Sequence, residues 1–268
     1  DLAENVGGPG VEVEQIVPDS ASPHDFQLSA QDRQTLEQAD LVVAIGSGLE
    51  PGIPLDEIDA PQWALTENVG ELRPFEEAGA QEEHVVEEEH AEAKHGSGDP
   101  HVWMDPTRTV AALPSLADAL AEVDPGGAAE YRRGGSDYAA ELERLDSELG
   151  RTLARIPAAN RELVTSHDSL GYLAHRYALE VVATAFPASG AEAETSAGEL
   201  DEVEDAVRES GVPAVFAQED DDPEVLRLIA EDTGVEIEEG LIVESPASAG
   251  SYEEMLRRDA ELIADALG

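Results

Sequence analysis

The sequence predicts an α/β fold: two lobes with parallel-type sheets flanked by helices, joined by one long spanning α-helix. Three observations predict it. From Leu163 to Leu267, short apolar runs alternate with segments of helical pattern, and such alternation builds parallel sheets covered by helices. The run Leu41-Val42-Val43-Ala44-Ile45-Gly46 is apolar until its closing glycine, as expected of a strand buried on both faces. Tyr131, Tyr138, Leu142, Leu145, Leu149 and Leu153 then mark one face of a helix running from Ala128 to Ile156. At the α-helical rise this helix is about 40 Å long, enough to cross a whole domain.

The elements follow in order. Val11 to Val17 alternates well enough to be a strand, and Pro18 ends it. A polar turn carries His24. Ser29-Ala30-Gln31-Asp32 caps a helix through Ala39 with Leu36 on its apolar face. Gly52 to Pro61 is irregular, and Gln62 to Thr66 is a further strand candidate. From Glu71 to Gly98 the chain is acidic and histidine-rich without apolar periodicity, which reads as a mobile loop.

Asp105-Pro106-Thr107 starts a helix whose stripe is Val110, Leu113, Leu116, Leu120 and Val123, and Pro125-Gly126-Gly127 stops it. Pro157 ends the long helix. Beyond it, strands are expected at 163–165, 180–185, 214–217, 235–237 and 241–243, and helices at 170–177, 198–210, 223–233 and 252–267. The expected division is an N-terminal lobe over 1–126, the linking helix over 127–157 and a C-terminal lobe over 158–268.

Composition excludes several classes of function. Sixty-one Asp and Glu against 15 Lys and Arg give a formal net charge of −46, which repels phosphates and anionic lipid, so neither nucleic acid nor a membrane surface is expected as a partner. Such an excess of acid is the mark of a halophilic acidic protein in molar salt, where the Debye length falls to about 3 Å and self-repulsion is screened. A charge evolved to concentrate cations is the competing explanation. The absence of cysteine rules out thiolate metal sites and disulfides, leaving nitrogen and oxygen ligands. No stretch approaches the roughly 20 apolar residues of a membrane span. No export signal is visible, because the chain opens on Asp1-Leu2-Ala3-Glu4.

The seven histidines carry the functional signal. His24, His101 and His167 stand singly in turns flanked by proline or aspartate, whereas His84, His90 and His95 crowd into a run of glutamates. Imidazole suits zinc, copper, iron and nickel, so the pattern points to a divalent metal. In open α/β sheets, ligands sit beyond the carboxyl ends of strands. His24, His167 and Glu244 each follow an expected strand, and a cleft between the lobes would bring them together. His175 lies inside a helix and reads as structural or exposed. Asp25, Asp99 and Asp168 are candidates to orient the imidazoles or to shape the turns, Asp168 also to cap the next helix. Trp103 and Phe26 are candidate cleft walls.

Three segments together resemble the zinc- and manganese-binding substrate-binding proteins of ABC importers. They are Val17-Pro18-Asp19-Ser20-Ala21-Ser22-Pro23-His24-Asp25-Phe26, then Asp99-Pro100-His101-Val102-Trp103-Met104-Asp105-Pro106, then Thr165-Ser166-His167-Asp168-Ser169-Leu170-Gly171-Tyr172-Leu173. The resemblance covers nearly the whole chain. It implies a metal held between two lobes by His24, His101, His167 and Glu244, and handed to a membrane permease. The family's usual fourth ligand is aspartate, so Glu244 extends the reach by one methylene. The family also opens with a strand and a helix that are not found before Leu2, which implies an incomplete N-terminal lobe.

Three histidines favour Zn²⁺ as the transported ligand, since manganese prefers oxygen donors; Mn²⁺ is the alternative. The resemblance further implies an extracytoplasmic monomer, anchored by a segment outside this sequence, with residues 82–95 as a weaker metal-collecting loop. A zinc hydrolase using Glu244 as base is the competing class. The chain has no His-Glu-x-x-His helix and no nucleophile beside a base, so no enzyme activity is expected.

Overall fold

A computed structural model describes residues 1–74, 98–186, 197–219 and 221–268. The expected histidine-rich loop, with His84, His90 and His95, lies outside the described residues.

The chain opens with helix α1 (Leu2–Gly7), which the sequence pattern did not reveal. Helix α2 (Ala30–Gln38) begins at the expected cap: the Ser29 hydroxyl accepts from Asp32 N while the Asp32 carboxylate accepts from Ser29 N, and Leu36 is buried. Strands β1 (Val42–Ala44) and β2 (Gln62–Ala64) pair in parallel in a two-stranded sheet. Val43 is 40 % exposed, so β1 is covered on one face only.

Val11 to Val17 is not a strand. Glu12, Val13, Glu14 and Gln15 are exposed, and no strand among the described residues lies alongside to accept their backbone groups. Alternation alone cannot hold an extended segment in a ladder without a partner. His24 is therefore presented by a loop, not by a strand end.

Helix α3 (Pro106–Val123) has Asp105 as its cap, accepting from Thr107 N at 2.9 Å, and buries Leu113, Leu116 and Leu120. Helix α4 (Ala128–Leu153) spans 26 residues and buries the whole expected stripe of Tyr131, Tyr138, Leu142, Leu145, Leu149 and Leu153. Each fully buried leucine there contributes about 1.5–3 kcal/mol. Helix α4 packs chiefly on α3, and also on α1 and the last helix.

The second half holds β3 (Glu162–Thr165), α5 (Gly171–Tyr177), β4 (Glu180–Thr184), α6 (Ala197–Ser210), β5 (Ala214–Gln218), α7 (Glu224–Thr233), β6 (Glu236–Leu241) and α8 (Tyr252–Ala266). Its four strands form one parallel sheet in the order β4-β3-β5-β6. The two short strands expected at 235–237 and 241–243 are in fact one edge strand, β6. Its half-buried Glu238 and exposed Glu239 hide it from an apolar pattern, but they pair through backbone with Phe216 and Ala217.

The largest apolar cluster joins the two sheet-bearing halves around α4. It runs from Val6, Trp63 and Leu113 through Leu145 and Leu149 to Leu163, Phe216 and Leu256. Among the described residues no helix is long and apolar enough to cross a membrane.

Candidate metal centre

Four side chains from four separate segments meet between the halves. His24 lies in the turn after Pro18, where Asp25 N and Phe26 N donate to Ser22 O and His24 N donates to Ser22 Oγ at 3.3 Å. Gly52 allows this turn to sit tight on the loop after β1: a Cβ there would fall 1.9 Å from Phe26 O. Only glycine fits such an approach.

His101 caps a short 3₁₀ turn, Val102–Met104, and is fully buried. Asp99 holds it twice, with Oδ1 accepting from His101 N at 2.9 Å and from Nδ1 at 2.7 Å. With Nδ1 held against the Asp99 carboxylate, Nε2 is the ring nitrogen left to serve as a ligand once its proton is displaced. Trp103 lies against the His101 ring with centroids 5.2 Å apart, as a wall, and its Nε1 donates to Val243 O at 3.0 Å. Phe26 is half-buried.

His167 follows β3 directly, the strand-exit position the sequence implies. Its carbonyl accepts from Thr165 Oγ1 at 2.8 Å and from Ser169 N at 3.0 Å. Below it, Ser166 N bonds Phe216 O, and the Ser166 hydroxyl donates to Asp221 while accepting from Gln218 N. Glu244 stands three residues past β6. Its loop is tied by Ile242 N donating to Asp259 Oδ1 at 2.9 Å and by the Trp103 bond to Val243.

The four groups can each place one ligand atom within 4.8 Å of all the others. His24 Nε2 and His101 Nε2 lie 3.5 and 3.7 Å from Glu244 Oε1. Ring centroids of the three histidines are 5.0–5.5 Å apart. His24 Nε2, His101 Nε2, His167 Nε2 and both Glu244 carboxylate oxygens are buried with no hydrogen-bond partner. Unpartnered buried polar atoms each cost on the order of 1–3 kcal/mol, so a cluster with one such ligand atom from each of four residues is suited to an occupant that supplies the missing partner.

The electrostatics are those of a cation site. Burial alone would lower the His101 pKa, but the Asp99 bond and the facing Glu244 carboxylate push it up to about 9. Burial, then the neighbouring His101 and His24 charges, push His167 down to about 3. Burial would raise Glu244, yet His101 and His24 hold it well below the usual carboxylate range. The pocket thus keeps one carboxylate ionised beside a His101 that favours its proton and a His167 that sheds its own.

Of the three aspartates considered as orienting groups, Asp99 does orient a histidine. Asp25 is exposed. Asp168 is buried but does not cap α5, whose cap position is Leu170 without a side-chain bond. His175 is exposed on α5, as expected. The sequence reading missed Glu50, whose largely buried carboxylate accepts from Ile45 N at 2.8 Å and Gly46 N at 3.1 Å and lies near His24. It also missed Asp221 under Ser166. A lone acid in so acidic a chain carries no sequence signal.

Fold and site together define a two-lobed α/β protein of the metal-receptor class. Over residues 1–266 the chain matches the family described as ZnuA, zinc-uptake complex component A, periplasmic, and it belongs to that family. It is 30% identical over 91% of its length to the iron-binding protein YfeA of Yersinia pestis, covering 74% of that protein. To the high-affinity zinc uptake system protein ZnuA of Bacillus subtilis it is 28% identical, covering 96% of this chain and 81% of the relative. The manganese ABC transporter substrate-binding lipoprotein PsaA of Streptococcus anginosus is 24% identical over 100% of this chain and 85% of its own length. Among solved structures, the periplasmic zinc-binding protein TroA of Treponema pallidum superposes with a TM-score of 0.83 at 23% identity, over 100% of this chain and 95% of that one.

Proposed function

We propose that this chain captures one Zn²⁺ outside the cytoplasm through His24, His101, His167 and Glu244 and delivers it to an ABC-type permease. The observation that carries the reading is the convergence of four residues, each offering a buried ligand atom without a hydrogen-bond partner, to within 4.8 Å of one another. With zinc–nitrogen bonds of about 2.0–2.1 Å, a tetrahedron has edges of about 3.4 Å. The 3.5 and 3.7 Å separations from Glu244 are close to that value. Three imidazoles and a carboxylate suit zinc, and they close its shell, so no open position remains for an activated water. A hydrolase therefore finds no support.

The names of relatives as periplasmic or lipoprotein components of uptake systems support delivery to a permease. Manganese is the second reading, favoured because Glu244 offers two unpartnered oxygens and could supply a fifth donor. Calorimetric titration with Zn²⁺ and Mn²⁺ in molar salt, on this chain and on His167→Ala, tests the proposal. One tight zinc site that the substitution abolishes is expected. Equal affinity for Mn²⁺ would overturn the choice of metal, and tight binding in His167→Ala would overturn the ligand set.

A further inference from the structure

Helix α5 follows the His167 turn, yet its first residues are spent on the opposite half of the molecule. Tyr172, fully buried, donates its hydroxyl to Asp99 O at 3.0 Å and accepts from Arg73 N at 2.9 Å. The Arg108 guanidinium covers its ring at 4.6 Å. Arg73 O in turn accepts from Asp99 N at 2.8 Å, so Tyr172 closes a ring of three hydrogen bonds around the Asp99 backbone. Gly171 adds a steric contact, since a Cβ there would stand 3.2 Å from Asp99 Oδ2.

Asp99 is the residue that holds His101. Its backbone is gripped by Tyr172, its Oδ2 abuts Gly171, and its Oδ1 takes the Nδ1 proton of His101. We infer that Tyr172 is a positioning residue for the metal: it fixes the Asp99–His101 pair from α5 and so locks the ligand from the first half to the segment bearing His167. Neither Tyr172 nor Gly171 is among the four converging groups. The chemistry fits, because a carboxylate orients a ligand histidine only as well as its own backbone is held.

This inference rests on the proposed zinc site, and its test separates the two. Tyr172→Phe keeps the ring and the Arg108 contact and removes only the hydroxyl. Zinc affinity is expected to fall about tenfold or more, the usual cost of a lost outer-sphere partner. In metal-free protein labelled with ¹⁵N-histidine, the hydrogen-bonded Nδ1–H signal of His101 is expected in the parent and exchange-broadened in Tyr172→Phe. Gly171→Ala, which crowds Asp99 Oδ2 from the other side, is expected to act in the same direction. Unchanged affinity together with an unchanged His101 signal in both variants would overturn the inference. A parent chain that binds no zinc would overturn the proposed function, while the proton signal would still decide the role of Tyr172.

Discussion

Asp99 and His101 are joined by two hydrogen bonds to a single oxygen, Asp99 Oδ1, which accepts from the His101 backbone at 2.9 Å and from its ring at 2.7 Å. Both residues are buried, so the pair is shielded from water and held in one geometry. Asp99→Ala removes both bonds and frees the ring to rotate. Zinc affinity by calorimetry is expected to drop about 10- to 100-fold. Affinity equal to the parent would show that His101 needs no carboxylate behind it.

Metal and proton compete for His101. Without metal its pKa is pushed up to about 9 by Asp99 and Glu244, against the effect of burial, so at neutral pH it carries a proton that zinc must displace. The sign follows: apparent affinity rises with pH while the unloaded site holds that proton, and this rise ends near the raised pKa. Between about pH 6 and pH 8 the gain from this group is about tenfold per unit. Titrations in buffers of different ionisation enthalpy are expected to show a proton released on binding. Binding heats that do not vary with the buffer would contradict it.

Much of this was legible in the sequence, for reasons that particular residues make plain. The α4 stripe from Tyr131 to Leu153 reads correctly because a helix burying one face against a core leaves a period in the chain. The turns holding His24, His101 and His167 read correctly because proline and aspartate punctuate them. The failures share a cause, which is that backbone pairing leaves no side-chain trace. Val11 to Val17 has the composition of a strand but no partner strand among the described residues, while Glu238 and Glu239 look like a loop and are paired to β5. Likewise Asp25, Asp99 and Asp168 flank histidines alike in sequence. Only the fold gives Asp99 a buried place beside an imidazole nitrogen.

The continuous core around α4 constrains how metal leaves. Leu145 and Leu149 of α4 share one cluster with Leu113 on one side and Leu163 and Leu256 on the other. A wide hinge motion would expose that apolar surface, at about 25 cal/mol per Å². Small tilts and loop shifts at His24 and Glu244 do not. X-ray scattering curves of metal-free and zinc-loaded protein in molar salt are expected to superimpose. A clear change in radius of gyration on loading would indicate hinge closure instead.

Asp259 offers a test of the fold apart from metal. It is fully buried on α8; Oδ1 accepts from Ile242 N at 2.9 Å, and Oδ2 has no partner among the described residues. Burial raises its pKa well above the ordinary value, the Ile242 amide pulls it partly back, and the negative Glu219 raises it again. The folded chain therefore binds a proton at Asp259 more readily than the unfolded chain, whose aspartate titrates near 3.9. Below about pH 4 both states are protonated and the group costs nothing. As pH rises above that value the unfolded state ionises freely and the folded state cannot, so stability is lost until pH passes the folded pKa. Asp259→Asn keeps the acceptor for Ile242 N and cannot ionise. In thermal melts of metal-free protein at constant molar salt, the variant is expected to melt several degrees higher at neutral pH. The gap should close as pH falls towards about 4. Equal melting temperatures at neutral pH would mean that Asp259 ionises in the folded core without penalty, through a partner for Oδ2 that the described residues do not supply.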